Sequence, residues 1–431
     1  MTLSPQPSAL SPGSDVVLTA EKPVAGGRML ARHNGQVVFV AGAIPGERVR
    51  ARIERVSKQL AYAETVDVLE PSPDRRVSTT DWACGGSVYA HIAYPRQLLL
   101  KSALIADALA RIGKIILAAP TPVMGSEERG YRMRARLHAR GGRWGFFREG
   151  THELCDAGAT NQLLQSTIET LDDLQRVLSS KGVEGIVSCD IAENIPATER
   201  AVLVELESSR AIPMNLDSTV GLTGVAFTDR ENSRVTVACG SPYVGDRIDA
   251  SGVSVALTHH VQSFFQGNRY LLPQLVARVL AWVPDGEVTD LYAGVGVFAV
   301  ALAASGRHAV VAVEGDRASA HDLETNAAPY TTVLTVEHLP VERYLQRRRT
   351  RRPDTLVLDP PRTGISQDAM SGILGLKPPR IVYVSCDAAT LARDLKRLIE
   401  QGYRVEHIEA FDLFPNTAHV ETLVVLVPSN N

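Results

Sequence analysis

From about residue 263 onward, short apolar runs alternate with stretches of helical spacing. The runs at 288–292, 309–313, 355–358 and 381–385 read as strands, and 297–305, 317–327 and 390–400 as helices. Continuously apolar strands are buried on both faces, as in parallel sheets. The alternation predicts an α/β fold, doubly wound and Rossmann-like, closed by an antiparallel pair at 404–410 and 421–427. The front of the chain differs. Turns at Ala25-Gly26-Gly27-Arg28, His33-Asn34-Gly35-Gln36 and Ile44-Pro45-Gly46-Glu47 separate strands that include 37–40, 49–56 and 62–69. About five short strands in this span predict a small OB-like β-barrel. Strand 49–56 alternates apolar and basic residues, giving a positive outer face. Between these parts lies a less regular stretch with a helix at 98–112. It also holds a strictly alternating strand at 131–140, with arginine on one face. Gly141-Gly142 then turns the chain into Trp144-Gly145-Phe146-Phe147, a basic, aromatic-edged hairpin suited to RNA or to an ordinary half-exposed surface. Three segments are expected: a barrel at 15–72, a central α/β domain at 73–262 and a Rossmann-like domain at 263–431.

Composition narrows the class. With 431 residues, 45% hydrophobic and 22% charged, the chain is an ordinary globular protein of two or three domains. No apolar run reaches the length of a membrane span. The first 15 residues lack the basic start and apolar centre of a signal peptide and read as a disordered lead-in. A cytoplasmic location is expected. Five scattered cysteines suggest a reducing compartment rather than a disulfide framework. Net charge is −3, but residues 21–150 hold 21 Lys and Arg against 12 Asp and Glu. The pattern fits either a partner that carries phosphates or an Arg-rich solvated face.

The candidate chemistry sits where predicted strands end, the usual place for ligands in open α/β sheets. Cys386 lies at the tip of the 381–385 strand, and Asp387 can cap the helix that follows. Asp290-Leu291-Tyr292-Ala293-Gly294-Val295-Gly296-Val297-Phe298 is a strand, a glycine turn and a helix start. The third glycine of a dinucleotide fingerprint is replaced by Ala299, which argues against NAD. Glu314 ends the next strand about 20 residues after the glycine turn, where an acid can bond ribose hydroxyls. Two prolines stiffen Asp359-Pro360-Pro361-Arg362-Thr363-Gly364 after another strand. Glu421 opens the last apolar strand, where an acid must be paired, exposed or functional. Phe265 and Gln266 lie in a polar, aromatic stretch, and an amide can pair with both edges of a base.

These motifs have a familiar grouping. The stretch from Gly35 to Arg52 resembles a TRAM domain, an RNA-binding barrel. The whole chain resembles the RNA uracil-5-methyltransferases, bacterial enzymes that make 5-methyluridine in 23S ribosomal RNA or in the T-loop of tRNA. The likeness rests on SFFQ-x-N, DLY-x-G-x-G-x-F, DPPR-x-G, VSC-(x)3-TLARDL and FP-x-T-x-HVE. It implies a class I methyltransferase domain, S-adenosylmethionine as cofactor and RNA as partner, with 23S rRNA favoured over tRNA. It also implies a monomer with no membrane partner. Cys386 matches the nucleophile that adds to carbon 6 of uracil, and Glu421 the base that removes the carbon 5 proton. Gln266, Tyr292, Glu314 and Asp359 match the cofactor region. Gln266, Phe265 and Arg362 match the substrate side, with Arg362 favouring the thiolate. Family members carry Asn where this chain has Val297, and Asn where it has Asp387. Many members hold an iron–sulfur cluster, but the ligand spacing reads Ser78, Cys84, Ser87 and Thr160 here, with Cys155 displaced. No metal site and no cluster are expected. A non-catalytic RNA-binding or assembly factor on the same scaffold is the alternative; so is methyl transfer to another base or to a small molecule.

Overall fold

The computed structural model describes residues 10–78, 80–208, 216, 221–230, 234–347 and 351–429. Residues 1–9 of the expected lead-in lie outside the described residues. The front unit has six strands, one more than expected: β1 (Asp15–Thr19), β2 (Lys22–Pro23), β3 (Met29–His33), β4 (Gln36–Ala41), β5 (Arg48–Val56) and β6 (Leu60–Glu70). They pair in the order β1-β5-β6-β4-β3-β2 around Leu18, Met29, Val38, Val40 and Ile53. The extra strand is the two-residue β2, too short to leave a periodic signature. The positive face of β5 needs correcting. Arg48, Arg50 and Arg52 do point outward, but each meets a carboxylate on a neighbouring strand: Glu70, Asp67 and Asp15 respectively. Exposed pairs of this kind contribute little stability, but they remove much of the free positive charge.

Helix α1 (Tyr94–Ala108) begins earlier than its periodicity suggested, because Pro95 sits in the first turn, where its missing N–H costs nothing. A short strand, β7 (Val123–Met124), follows. The central unit contains β8 (Arg134–Arg140), β9 (Arg143–Phe147), β10 (Leu154–Asp156), α2 (Gln165–Ser180), β11 (Ile186–Glu193), β12 (Arg200–Leu206), β13 (Gly224–Asp229) and β14 (Thr236–Gly240). Its seven strands run β10-β9-β8-β11-β12-β13-β14, and α2 covers one face. The aromatic edge expected of the β8–β9 hairpin is mostly core. Trp144 and Phe146 are buried, and the Trp144 indole donates to the Leu171 carbonyl. Phe147 alone is half-buried, stacked on His138 at 3.7 Å.

The cysteine expectation also needs correcting. Cys84 and Cys155, 71 residues apart, form a disulfide. An isolated bridge between Cys84 and Arg148, and the pairing of β10 with β9, bring the two side chains together. Sequence spacing carries no trace of that proximity.

A hairpin, β15 (Tyr243–Ala250) and β16 (Val253–His260), leads into the last unit. There α3 (Leu272–Trp282), β17 (Gly286–Leu291), α4 (Val297–Ala304), β18 (His308–Glu314), α5 (Arg317–Ala327), β19 (Leu334–His338), α6 (Val341–Leu345), β20 (Thr355–Leu358), α7 (Gln367–Leu376), β21 (Arg380–Ser385), α8 (Ala388–Glu400), β22 (Tyr403–Phe411) and β23 (Glu421–Pro428) follow in turn. The sheet runs β19-β18-β17-β20-β21-β23-β22-β7. Its first five strands are parallel, and β23 is antiparallel to both neighbours. Successive strand residues face opposite layers. Val288, Val310, Val357 and Val382 meet α3, α4, α5 and the β15–β16 hairpin. Leu291, Val313, Leu356 and Ile381 meet α6, α7, α8 and the end of α1. Helix α1 thus packs on this sheet, although it precedes the central unit in the chain. Among the described residues no helix is long and apolar enough to cross a membrane.

Candidate active site

The chain order reverses between β17 and β20, and loops leave the carboxyl ends of both strands there, the place where ligands bind in open α/β sheets. The glycine turn comes from β17. Gly296 has φ +99°, and a Cβ there would lie 2.7 Å from Leu323. Gly294, at φ +56°, faces open space. One glycine is therefore required by packing, while the other keeps the strand end clear. Glu314, at the end of β18, accepts from Gly294 N–H at 2.8 Å and from Asp316 N–H at 2.6 Å. Each carboxylate oxygen retains a lone pair for a ligand hydroxyl. Burial raises its pKa against the pull of those N–H donors. Tyr292 has φ +65° and leans on the cluster formed with α6–α8.

Asp359 follows β20 and accepts from the Gln266 amide at 3.0 Å, so these two predicted residues meet. Its turn is pinned from α8: the Arg393 guanidinium donates to the Thr363 carbonyl at 2.9 Å, and Asp394 accepts from Ile365 N–H at 2.8 Å. The TLARDL motif therefore serves the DPPR loop. Cys386 follows β21, half-buried, and Asp387 caps α8 by accepting from Ala389 and Thr390 N–H. Ser385 pairs with Thr422 across β21 and β23, which sets Cys386, just past the end of β21, beside Glu421 at the start of β23. Glu421 is 2% exposed, and its Oε1 has no hydrogen-bond partner.

The electrostatics are dominated by burial. Desolvation, then the Asp359 charge, lifts Glu421 well above the usual carboxylate range, with Arg362 opposing. Asp359 is raised by burial too, against the Gln266 hydrogen bond. Burial, then Glu421, pushes the Cys386 thiol up to about 12. Arg362 does pull the thiol down, as expected, but it is outweighed, so the resting residue is a thiol. Burial, then Arg362, keeps nearby His419 neutral by lowering it to about 4.

Two features escaped sequence reasoning. Asp290, inside β17, is wholly buried, and burial, then Asp359, raises its pKa against the Ala299 N–H. An acid within an apolar strand was the same signal that drew attention to Glu421. The second concerns the aromatics. Phe265 is 2% exposed and stacked on His259 at 4.2 Å, so it cannot meet a base as expected, whereas its neighbour Phe264 is 60% exposed. At the positions that the family resemblance assigns to a cluster, Ser78, Ser87 and Thr160 offer hydroxyls, and Cys84 is bonded to Cys155. That donor set does not suit iron and sulfide. Among the described residues no group of three or more His, Cys, Asp or Glu could hold a metal.

The TRAM domain family matches residues 15–66, and the tRNA (Uracil-5-)-methyltransferase family matches residues 223–428. A 23S rRNA (uracil(1939)-C(5))-methyltransferase of Pseudomonas putida is 31% identical, over 95% of this chain and 92% of its own length. The chain belongs to the RNA uracil-5-methyltransferase family. An uncharacterized RNA methyltransferase of Thermosynechococcus vestitus is likewise 31% identical, over 94% and 96% of the two chains. The crystal structure of Pyrococcus abyssi tRNA (uracil-54, C5)-methyltransferase, solved with S-adenosyl-L-homocysteine, has the same fold. Its TM-score is 0.75 at 24% identity, over 95% of this enzyme and 100% of the other. The enzyme is thus an RNA methyltransferase.

Proposed function

We propose that this enzyme transfers a methyl group from S-adenosylmethionine to carbon 5 of a uridine in 23S rRNA through a covalent bond to Cys386. The observation that carries the reading is the pairing of β21 with β23, which sets a thiol beside a buried carboxyl whose Oε1 has no hydrogen-bond partner. Carbon 5 of uracil is a weak nucleophile; sulfur added at carbon 6 makes it enolate-like. In this scheme the Cys386 thiol loses its proton to solvent, the sulfur adds to carbon 6 as thiolate, and carbon 5 takes the methyl group. Glu421 then accepts the carbon 5 proton, and the carbon–sulfur bond breaks to restore the cysteine. The cofactor supplies that methyl group on a positively charged sulfonium. Asp290, Glu314, Asp359 and Glu421 fit a cation, because a positive charge repays the ionised forms that burial disfavours. Glu421 would then be ionised with the donor bound, and would regain proton affinity once the positive charge is consumed.

Gln266 bridges the two halves of the site through Asp359, and its remaining amide groups suit a uracil edge. The exposed ring of Phe264, rather than Phe265, is the one available for stacking on RNA. The target base leaves its stack to reach Cys386. Ribosomal RNA is favoured by full-length relatives named for 23S rRNA. The test is nucleoside mass spectrometry of rRNA and tRNA from a deletion strain, with and without complementation. Loss and return of 5-methyluridine in 23S rRNA is expected; a change confined to tRNA moves the substrate, and no change in either rejects the reading.

A further inference from the structure

Residues 412–420 join β22 to β23 and end one residue before Glu421. The segment is irregular, yet its polar groups are held by side chains from elsewhere. Lys101 of α1 is wholly buried and donates to the equally buried Asp412 carboxylate and, at 2.9 Å, to the Phe414 carbonyl. Gln97, one turn earlier, meets Asn416 twice. It accepts from Asn416 N–H at 3.0 Å and donates to Asn416 Oδ1 at 3.0 Å. Arg76 donates to that same oxygen at 2.8 Å, and Tyr89 N–H to the Asn416 carbonyl at 2.8 Å. Asn268, two residues after Gln266, donates to the Leu413 carbonyl at 3.1 Å. Asn416 sits at φ +63°, a conformation that persists only when its surroundings enforce it. A buried ammonium likewise persists only when paired. Helix α1 also places Leu100 in the barrel core and Ile105 in the catalytic core, so the segment is fixed to both units.

We propose that Lys101 and Gln97 are positioning residues for removal of the carbon 5 proton, setting the 412–420 segment and through it the Glu421 carboxyl. The proposal rests on the reading of Glu421 as the base. In the affected step the carbon 5 proton passes to Glu421. The C–H electron pair forms the carbon 5–carbon 6 double bond, and the carbon 6–sulfur bond breaks to leave the Cys386 thiolate. Sulfur addition and methyl transfer precede this step and do not need Glu421.

Two full-length variants test it. One is Gln97→Leu. The other is the double variant Lys101→Met with Asp412→Asn, since Lys101→Met alone would strand a buried carboxylate. Each is given 23S rRNA transcribed with uridine tritiated at carbon 5, plus S-adenosylmethionine. Two rates are followed: formation of a methylated RNA–protein species that survives denaturing electrophoresis, and release of tritium. The expected result is adduct formation at the wild-type rate, with tritium release slowed on the order of tenfold to a hundredfold and KM for RNA unchanged. Tritium release at the wild-type rate overturns the proposal, as does an equal fall in both rates, which is what a merely structural role would produce. Glu421→Gln is the control. If it does not accumulate adduct, the base assignment fails and this proposal with it; if it does and the two variants do not, the positioning role alone fails.

Discussion

Alkylation of Cys386 in the enzyme without ligands is expected to be slow and strongly pH-dependent. Burial first, then neighbouring Glu421, moves the thiol from its usual 9.0 to about 12, with Arg362 only partly compensating. A rise of about three pKa units at ~1.4 kcal/mol each sets roughly 4 kcal/mol against the thiolate. At about pH 7.5 this leaves on the order of a thousandfold less thiolate than an ordinary cysteine has. The thiolate that forms is more basic and therefore more nucleophilic, which recovers roughly twentyfold. Carbamidomethylation by iodoacetamide should then run about fiftyfold slower than that of free cysteine in the same tube. The rate should keep climbing with pH and show no plateau below about pH 10. The assay is peptide mass spectrometry of the Cys386 peptide after timed quenching, over a pH series. Reaction as fast as free cysteine at neutral pH, or a plateau near pH 8, would refute the view that burial and neighbouring carboxyls dominate this site. Activation would then be built into the resting enzyme.

Other outcomes follow from single observations. Phe265→Ala should destabilise the protein by about 3–5 kcal/mol in urea unfolding, because the ring is core packing. Phe264→Ala should leave stability nearly unchanged and weaken RNA binding by about 1–3 kcal/mol in filter binding; the opposite pattern would restore Phe265 as the stacking residue. Replacing Cys84 and Cys155 together by alanine removes a link across 71 residues, for which chain entropy gives at most roughly 4 kcal/mol. An unchanged urea midpoint would show the bond does not constrain the unfolded chain. Protein purified without oxygen should be colourless and iron-free, since even with the disulfide opened only two thiolates are present where a cluster takes about four. Near-stoichiometric iron and sulfide would show that reasoning wrong.

The catalytic sheet was legible because each of its signals is local. Strands buried on both faces must be apolar throughout, as at Leu356–Val357–Leu358, and helix starts carry side-chain caps such as Asp316 and Asp387. The motif residues were legible because they sit where those strands end. What was not legible depends on distant partners. Lys101 looks like a solvent-facing lysine in a helix; its burial depends on Asp412, 311 residues away. The arginines of β5 alternate as an exposed basic face should, but the acids that pair with them lie on other strands. Strand β7 contributes only two residues to the sheet edge, too few for any period. Phe264 and Phe265 are adjacent and chemically identical, so only the stack on His259 tells which one is core. Asp290 does carry a local signal, an acid inside an apolar strand, but it shares its motif with the glycine turn.

The covalent adduct tests the central claim most directly. Glu421→Gln enzyme is incubated with 23S rRNA and S-adenosylmethionine labelled in its methyl group, then run on a denaturing gel. The account predicts a labelled RNA–protein band that grows with time, and its complete absence when Cys386→Ala is added to the same variant. Normal turnover by Glu421→Gln, or an equal band without Cys386, would contradict it.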